Sequence, residues 1–244
     1  MHFFVFAAIA SALILVLAAP TPYVCDVSHA RLALPATQTI SAPNDARPEY
    51  IALAIGTQNY TCTNMGTYRS DGAVSTLYDI SCLYKSDPEL FDDVQNAAYN
   101  ILLKSEDNTP SLNAVEDVIG IHPYTLGEHY FIPQNGAIVP MFDFSHSQKG
   151  DNDSFMVGRQ IAGIPSPKGP QNIDWLQLER TSGQLARYVF RVDTRGGQPP
   201  DTCNSLNEGQ DITVPYTAKY CELVTSEFAH GAIANRLAKQ GFYD

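Results

Sequence analysis

Residues 174–203 read DWLQLERTSGQLARYVFRVDTRGGQPPDTC, and their reading decides the fold. The stretch holds Trp175, the only tryptophan of the chain. In Ala186–Asp193, Tyr188, Phe190 and Val192 alternate with Val189, Arg191 and Asp193. A period of two places the two sets on opposite faces of a strand, so the face carrying Arg191 and Asp193 should meet solvent or a cleft. Thr194-Arg195-Gly196-Gly197 then turns, because glycine takes positive φ at little cost. Pro199-Pro200 supply no ladder donors and end the strand. Upstream, Ile173–Leu178 is apolar except for Asp174 and Gln177 and predicts a short strand covered on both faces. Thr181-Ser182-Gly183 is expected as the hairpin loop between the two strands.

Working outward, the same grammar repeats. Strands are expected at Tyr50–Ile55, where Ile51, Leu53 and Ile55 alternate, and at Ala73–Ser81, Glu128–Pro133, Ala137–Phe144, Phe155–Gln160 and Ile212–Tyr220. One helix interrupts them. Asp87 caps it, Pro88 takes its first position, and Leu90, Val94, Ala97 and Ile101 form its apolar stripe. Ser226–Gln240 has the pattern of a second, C-terminal helix. Many short strands with turn signals between them predict an all-β sandwich or barrel with one inserted helix.

Residues 1–18 have the apolar run of a secretory signal peptide, with cleavage expected after Ala18, although no Lys or Arg precedes the run. Residues 19–49 carry five prolines and read as an extended arm. Residues 50–221 then form a single β-rich domain, and 222–244 a tail. The formal charge of −11 argues against nucleic acid and anionic membranes as partners. Five cysteines in an exported chain should form disulfides. We expect Cys62–Cys82 and Cys25–Cys203, with Cys221 unpaired. Asn59 and Asn152 head glycosylation sequons.

Seven motifs follow one another in order: GTQNYTC (56–62), LYDISCL (77–83), GEHYF (127–131), FDF (142–144), DWLQL (174–178), FRVDTRGGQPPDTC (190–203) and VPYTAKY (214–220). Together they resemble the DUF3455 family of uncharacterised secreted proteins, common in filamentous fungi, over roughly Cys25 to Tyr220. The resemblance implies secretion and no established activity. Some members carry the label malate dehydrogenase. Here Cys221 stands where the family has tryptophan, and a tail follows.

The chemistry is sparse. A dinucleotide site needs a strand, a G-x-G-x-x-G turn and a helix, and the chain has no such motif, which weighs against hydride transfer and any cofactor. His122, Glu128, His129, Asp143 and His146 are metal-ligand types, but adjacent strand residues such as Glu128 and His129 face opposite ways, so no metal is expected. Ser145-His146 beside Asp143 lacks a nucleophile elbow. Asp143, Asp174, Asp193 and Asp201 offer carboxylates for glycoside hydrolysis, the alternative reading. The favoured reading is a non-catalytic extracellular protein that binds glycan or protein. Its candidate contacts are His129, Tyr130 and Trp175, with Phe131 and Tyr188 as further aromatic platforms, and Asp143, Arg191, Asp193 and Arg195 as polar partners.

Overall fold

A computed structural model describes residues 25–36, 38–120, 123–148 and 152–225. The expected signal peptide, the expected C-terminal helix and His122 lie outside the described residues. Eight strands are seen among the described residues: β1 (Ala46–Cys62), β2 (Tyr68–Asp79), β3 (Thr125–Gln134), β4 (Ala137–Asp143), β5 (Phe155–Ile164), β6 (Trp175–Gly183), β7 (Tyr188–Gly196) and β8 (Asp211–Thr225). Each pairs antiparallel with the next, and β1 closes on β8, so the all-β fold is a barrel rather than a sandwich. Closure removes the unpaired edges that a flat sheet would leave.

Strand alternation sorts the apolar residues into two layers. Tyr216, Ala218 and Tyr220 of β8 face the lumen with Leu77, Leu126, Phe142 and Phe144. Cys221 and Leu223 belong to an outer layer with Ile51, Leu53 and Ile55 of β1. The alternating isoleucines and leucine of β1 therefore pack outward, and Ala52 and Ala54 fill the lumen side. The cover of that outer layer is the insertion between β2 and β3. It comprises α1 (Leu83–Ser86), α2 (Pro88–Leu102) and α3 (Leu112–Ile119). Asp87 caps α2, its side chain accepting from the Leu90 N–H at 3.0 Å, with Pro88 at the first position as expected. Val94, Ala98 and Leu102 press on the barrel wall.

α3 was not anticipated from the sequence. Its signals are local: Ser111 caps the Ala114 N–H, and Gly120 ends it in the left-handed region at φ 74°. The N-terminal arm is a strap rather than a free extension. Val27 and Ile40 are buried in the outer layer, Thr39 Oγ1 donates to the Gly163 carbonyl, and Gln177 Oε1 accepts from the Ser41 N–H. No helix among the described residues is long and apolar enough to cross a membrane.

Two expectations are corrected. Thr181-Ser182-Gly183 is strand, not hairpin loop: after Arg180, β6 keeps pairing with β5 through Val157↔Ser182 and Met156↔Gly183, and the turn falls at residues 184–187. Gly183 is required there, because its φ is +85° and a Cβ would sit 2.0 Å from the Phe155 carbonyl oxygen. The disulfides are Cys25–Cys82 and Cys62–Cys203, with Cys221 free and buried. The four paired cysteines were identified correctly, but the partners were not. The Ile80 N–H donates to the Ile51 carbonyl, so Cys82 lies at the Ile51 end of β1, about 11 residues from Cys62. At about 3.3 Å per residue that is about 36 Å, far beyond the roughly 7 Å a disulfide spans. The hairpin that brings their sequence neighbours together holds these two cysteines apart.

Candidate functional site

An eight-stranded barrel has an interior just wide enough to be filled by side chains or to hold one small ligand. This barrel does each in a different half. Toward the end where Thr225, Asp79 and Asp143 terminate their strands, Tyr50, Phe144, Leu185 and Ala186 plug the lumen. Toward the other end lies a cavity of about 310 Å³, lined by residues of β3 to β8. It opens through the wall. β4 and β5 pair only through Met141↔Val157, Phe142↔Met156 and Asp143↔Phe155, so Ala137–Pro140 and the strand after Val157 do not pair with each other. Ile138, 46% exposed, marks the rim.

The cavity wall is apolar, with Phe131, Ile138, Pro140, Leu176, Leu178 and the Tyr220 ring, interrupted by a few polar groups. His129 is one of them and is 2% exposed. Its ring stacks on Phe142 with centroids 4.3 Å apart. Its Nδ1 lies 2.9 Å from the Met141 carbonyl, which can only accept, so Nδ1 carries the proton and Nε2 the lone pair. Burial pulls this imidazole down to about 4, the nearby Arg191 charge pushes the same way, and the Met141 bond opposes them. His129 is neutral at physiological pH.

Arg191 is the second polar group. Its Nε donates to the Asp174 carbonyl at 3.0 Å, and its terminal nitrogens make no hydrogen bond among the described residues. Arg159 also lines the cavity, but its guanidinium sits 2.8 Å from Glu179, which Arg187 also contacts at 2.7 Å. Among the described residues no carboxylate lines the cavity.

Of the candidates drawn from the sequence, only His129 and Arg191 come together here, with Phe131 beside them. Tyr130 and Asp143 lie on the outer face of β3 and β4, where the Tyr130 hydroxyl donates to Asp143 at 3.1 Å. Burial pushes Asp143 up, but hydrogen bonds from Ser145 and Tyr130 outweigh it and hold the carboxyl below its usual range. Burial, then the Asp143 contact, raises Tyr130. Trp175 is 4% exposed and belongs to the outer layer, so it offers no ring face to a ligand. Tyr188 packs against the same layer.

Arg191 and Asp193 do not share a face as alternation predicts. Register slips between Val192 and Arg195, and Asp193 adopts φ +50°. The bulge turns Asp193 outward onto Lys219 at 3.1 Å, and Lys219 Nζ sits over the Phe91 ring of α2. Arg195 reaches Asn96 of α2. These two residues fasten the helix. Arg191, before the bulge, stays in the lumen.

The other carboxylates also stay apart from the cavity. Asp174 is exposed and touches Arg191 only through its carbonyl, and Asp201 is an exposed loop residue. Asn152 sits on an exposed turn, whereas Asn59 is half-buried within β1. Sequence reasoning missed Leu176, Leu178 and Tyr220 as cavity residues. Their strand parity was readable, but which parity faces the lumen was not.

The fold and site define a closed antiparallel barrel with a side-opening lumenal cavity. The chain belongs to a family described as proteins of unknown function, DUF3455, whose model matches residues 43–222. No curated protein and no solved structure matches it.

Proposed function

We propose that this is an extracellular, non-catalytic binding protein that takes up a small ligand in its barrel cavity. The carrying observation is the cavity itself: about 310 Å³, at the lower end of ligand-pocket sizes, with an apolar wall and few polar groups. The two disulfides support an oxidising compartment. A buried Trp175 removes the strongest aromatic platform for glycan, so the reading moves from a flat sugar or protein surface to an enclosed site.

The hydrolase alternative finds no support in the placement of its carboxylates. Glycoside hydrolysis needs two carboxyl groups facing each other across the substrate, one with a raised pKa. Asp143 is lowered and sits on the outer face, and Asp193 is paired with Lys219.

The test is a thermal-shift panel of small apolar and amphipathic molecules and sugar fragments on the oxidised protein. Ligand at a hundredfold its dissociation constant adds about 2.7 kcal/mol, a shift of a few degrees. Ile138→Trp, which crowds the rim, should abolish the shift while leaving the unliganded melting temperature unchanged. A panel with no active compound, or a shift that Ile138→Trp leaves intact, rejects the reading.

A further inference from the structure

The charge inside the cavity narrows the ligand. Arg159 and Arg191 are both among its lining residues. The Arg159 guanidinium is largely exposed and paired with Glu179, whereas Arg191 meets a single backbone carbonyl. An arginine presents two parallel N–H donors in a planar fork that matches a carboxylate. In Arg191 the edge carrying Nε is used by Asp174, and the terminal nitrogens remain free among the described residues. Among the described residues the cavity lining includes no Asp or Glu, and burial keeps His129 a neutral ring committed to Met141 through Nδ1. A half-buried cation against Leu176, Leu178 and Tyr220 is costly unless something pairs with it.

The remaining wall fixes the rest of the molecule. Phe131, Ile138, Pro140 and the two leucines offer contacts to hydrocarbon and little to a hydroxyl-rich body. The chain as a whole carries a formal charge of −11, which repels polyanions at long range and leaves single-charge ligands least affected. We infer that the cavity binds a small amphipathic monoanion, a carboxylate with an apolar body, whose head pairs with the terminal nitrogens of Arg191 and whose tail lies against Leu176, Leu178 and Phe131. This inference rests on the binding function proposed above and names its ligand class.

The experiment titrates octanoate and 1-octanol, equal in chain length and differing in charge, into the full oxidised chain by calorimetry. It uses wild type, Arg191→Met and Arg191→Lys. Wild type should bind octanoate about 10- to 100-fold more tightly than octanol, the range of a desolvated charge-assisted hydrogen bond. Arg191→Met should erase that preference and keep octanol binding. Arg191→Lys should keep part of it, since the charge remains and the fork is lost. Melting temperatures of the variants check that they fold. Equal binding of both probes to wild type overturns the anion inference and leaves the cavity function standing. Octanoate binding that survives Arg191→Met also overturns it, because the acid then sits elsewhere. Binding of neither probe overturns the ligand class, and the thermal-shift panel decides the cavity function separately.

Discussion

The two ends of the lumen are built from the same strands and have opposite characters. At one end Tyr50 meets Phe144 edge-on at 5.7 Å, and Glu222, the cross-strand partner of Tyr50, is buried with neither carboxyl oxygen bonded among the described residues. At the other end β4 and β5 part, Gly158 replaces a side chain, and Arg191 faces open space. Burial at the closed end raises the Glu222 carboxyl well above its usual range. At the open end the terminal nitrogens of Arg191 face the cavity. Packing density, not strand content, separates scaffold from site in this molecule.

Each end also carries one disulfide, and cutting them gives the largest expected effect. Cys62–Cys203 at the open end spans 141 residues, and Cys25–Cys82 at the closed end spans 57. By loop entropy, replacing the first pair with serine should cost about 5 kcal/mol and the second about 4 kcal/mol. Urea unfolding of the two double variants measures the order. Equal or reversed losses would mean that the strap held by Cys25 matters beyond chain entropy.

Side-chain truncation should separate the ends next. Phe144→Ala removes a fully buried ring of the plug and should cost about 3–5 kcal/mol, whereas Ile138→Ala at the rim should cost less than about 1 kcal/mol. Similar losses in denaturant titrations would contradict the contrast between a filled and an unfilled half.

pH should attack the lumen from two directions. His129 must be neutral to fold, so its contribution is complete above 6.5 and is lost as pH falls toward about 4. That window is worth about 3 kcal/mol. His129→Gln should flatten the acid limb of stability against pH. Glu222 has the opposite sign. Burial raises it well above its usual range, and the charges of Glu49 and Asp79 add to this. Its contribution is present below the ordinary carboxylate range and is lost as pH rises toward the raised value. Glu222→Gln should therefore gain more stability at pH 8 than at pH 5. A gain that is independent of pH would place a partner beside Glu222.

The smallest effect belongs to the cavity floor. A Cβ on Gly158 would lie 3.3 Å from the Met156 methyl and 3.5 Å from Leu178 Cβ, at ordinary φ. Gly158→Ala should stabilise by about 0.4–1 kcal/mol through the unfolded chain and weaken ligand binding. If stability falls instead, the cavity is tighter than its open wall implies.

Much of the architecture was legible from residue order. The Asp87-Pro88 start of α2, the Gly-Gly-Gln-Pro-Pro stop after β7 and the period-two runs are local signals, and local backbone physics produced the expected elements. The ends of the domain were less legible. β1 starts at Ala46 and β8 runs to Thr225, because each continues for as long as the other offers a ladder partner, through Ala46↔Thr225. α3 was legible in Ser111 and Gly120 and was missed for want of a long stripe.

The sequence by itself determined a β-rich chain, an inserted helix, which four cysteines pair and a set of polar candidates. Tertiary structure alone decided that the sheet closes, how the cysteines pair and which candidates meet. The helical insertion and the strap cover the outer faces of β1, β7 and β8 while the lumen covers their inner faces, so alternation there no longer says which face is the site. One bulge at Asp193 then leaves Arg191 in the lumen and turns Asp193 to the helix. A one-residue slip in register reverses the side chains beyond it, and that slip shows only in the pairing of β7 with β8, not in the alternation of the β7 residues.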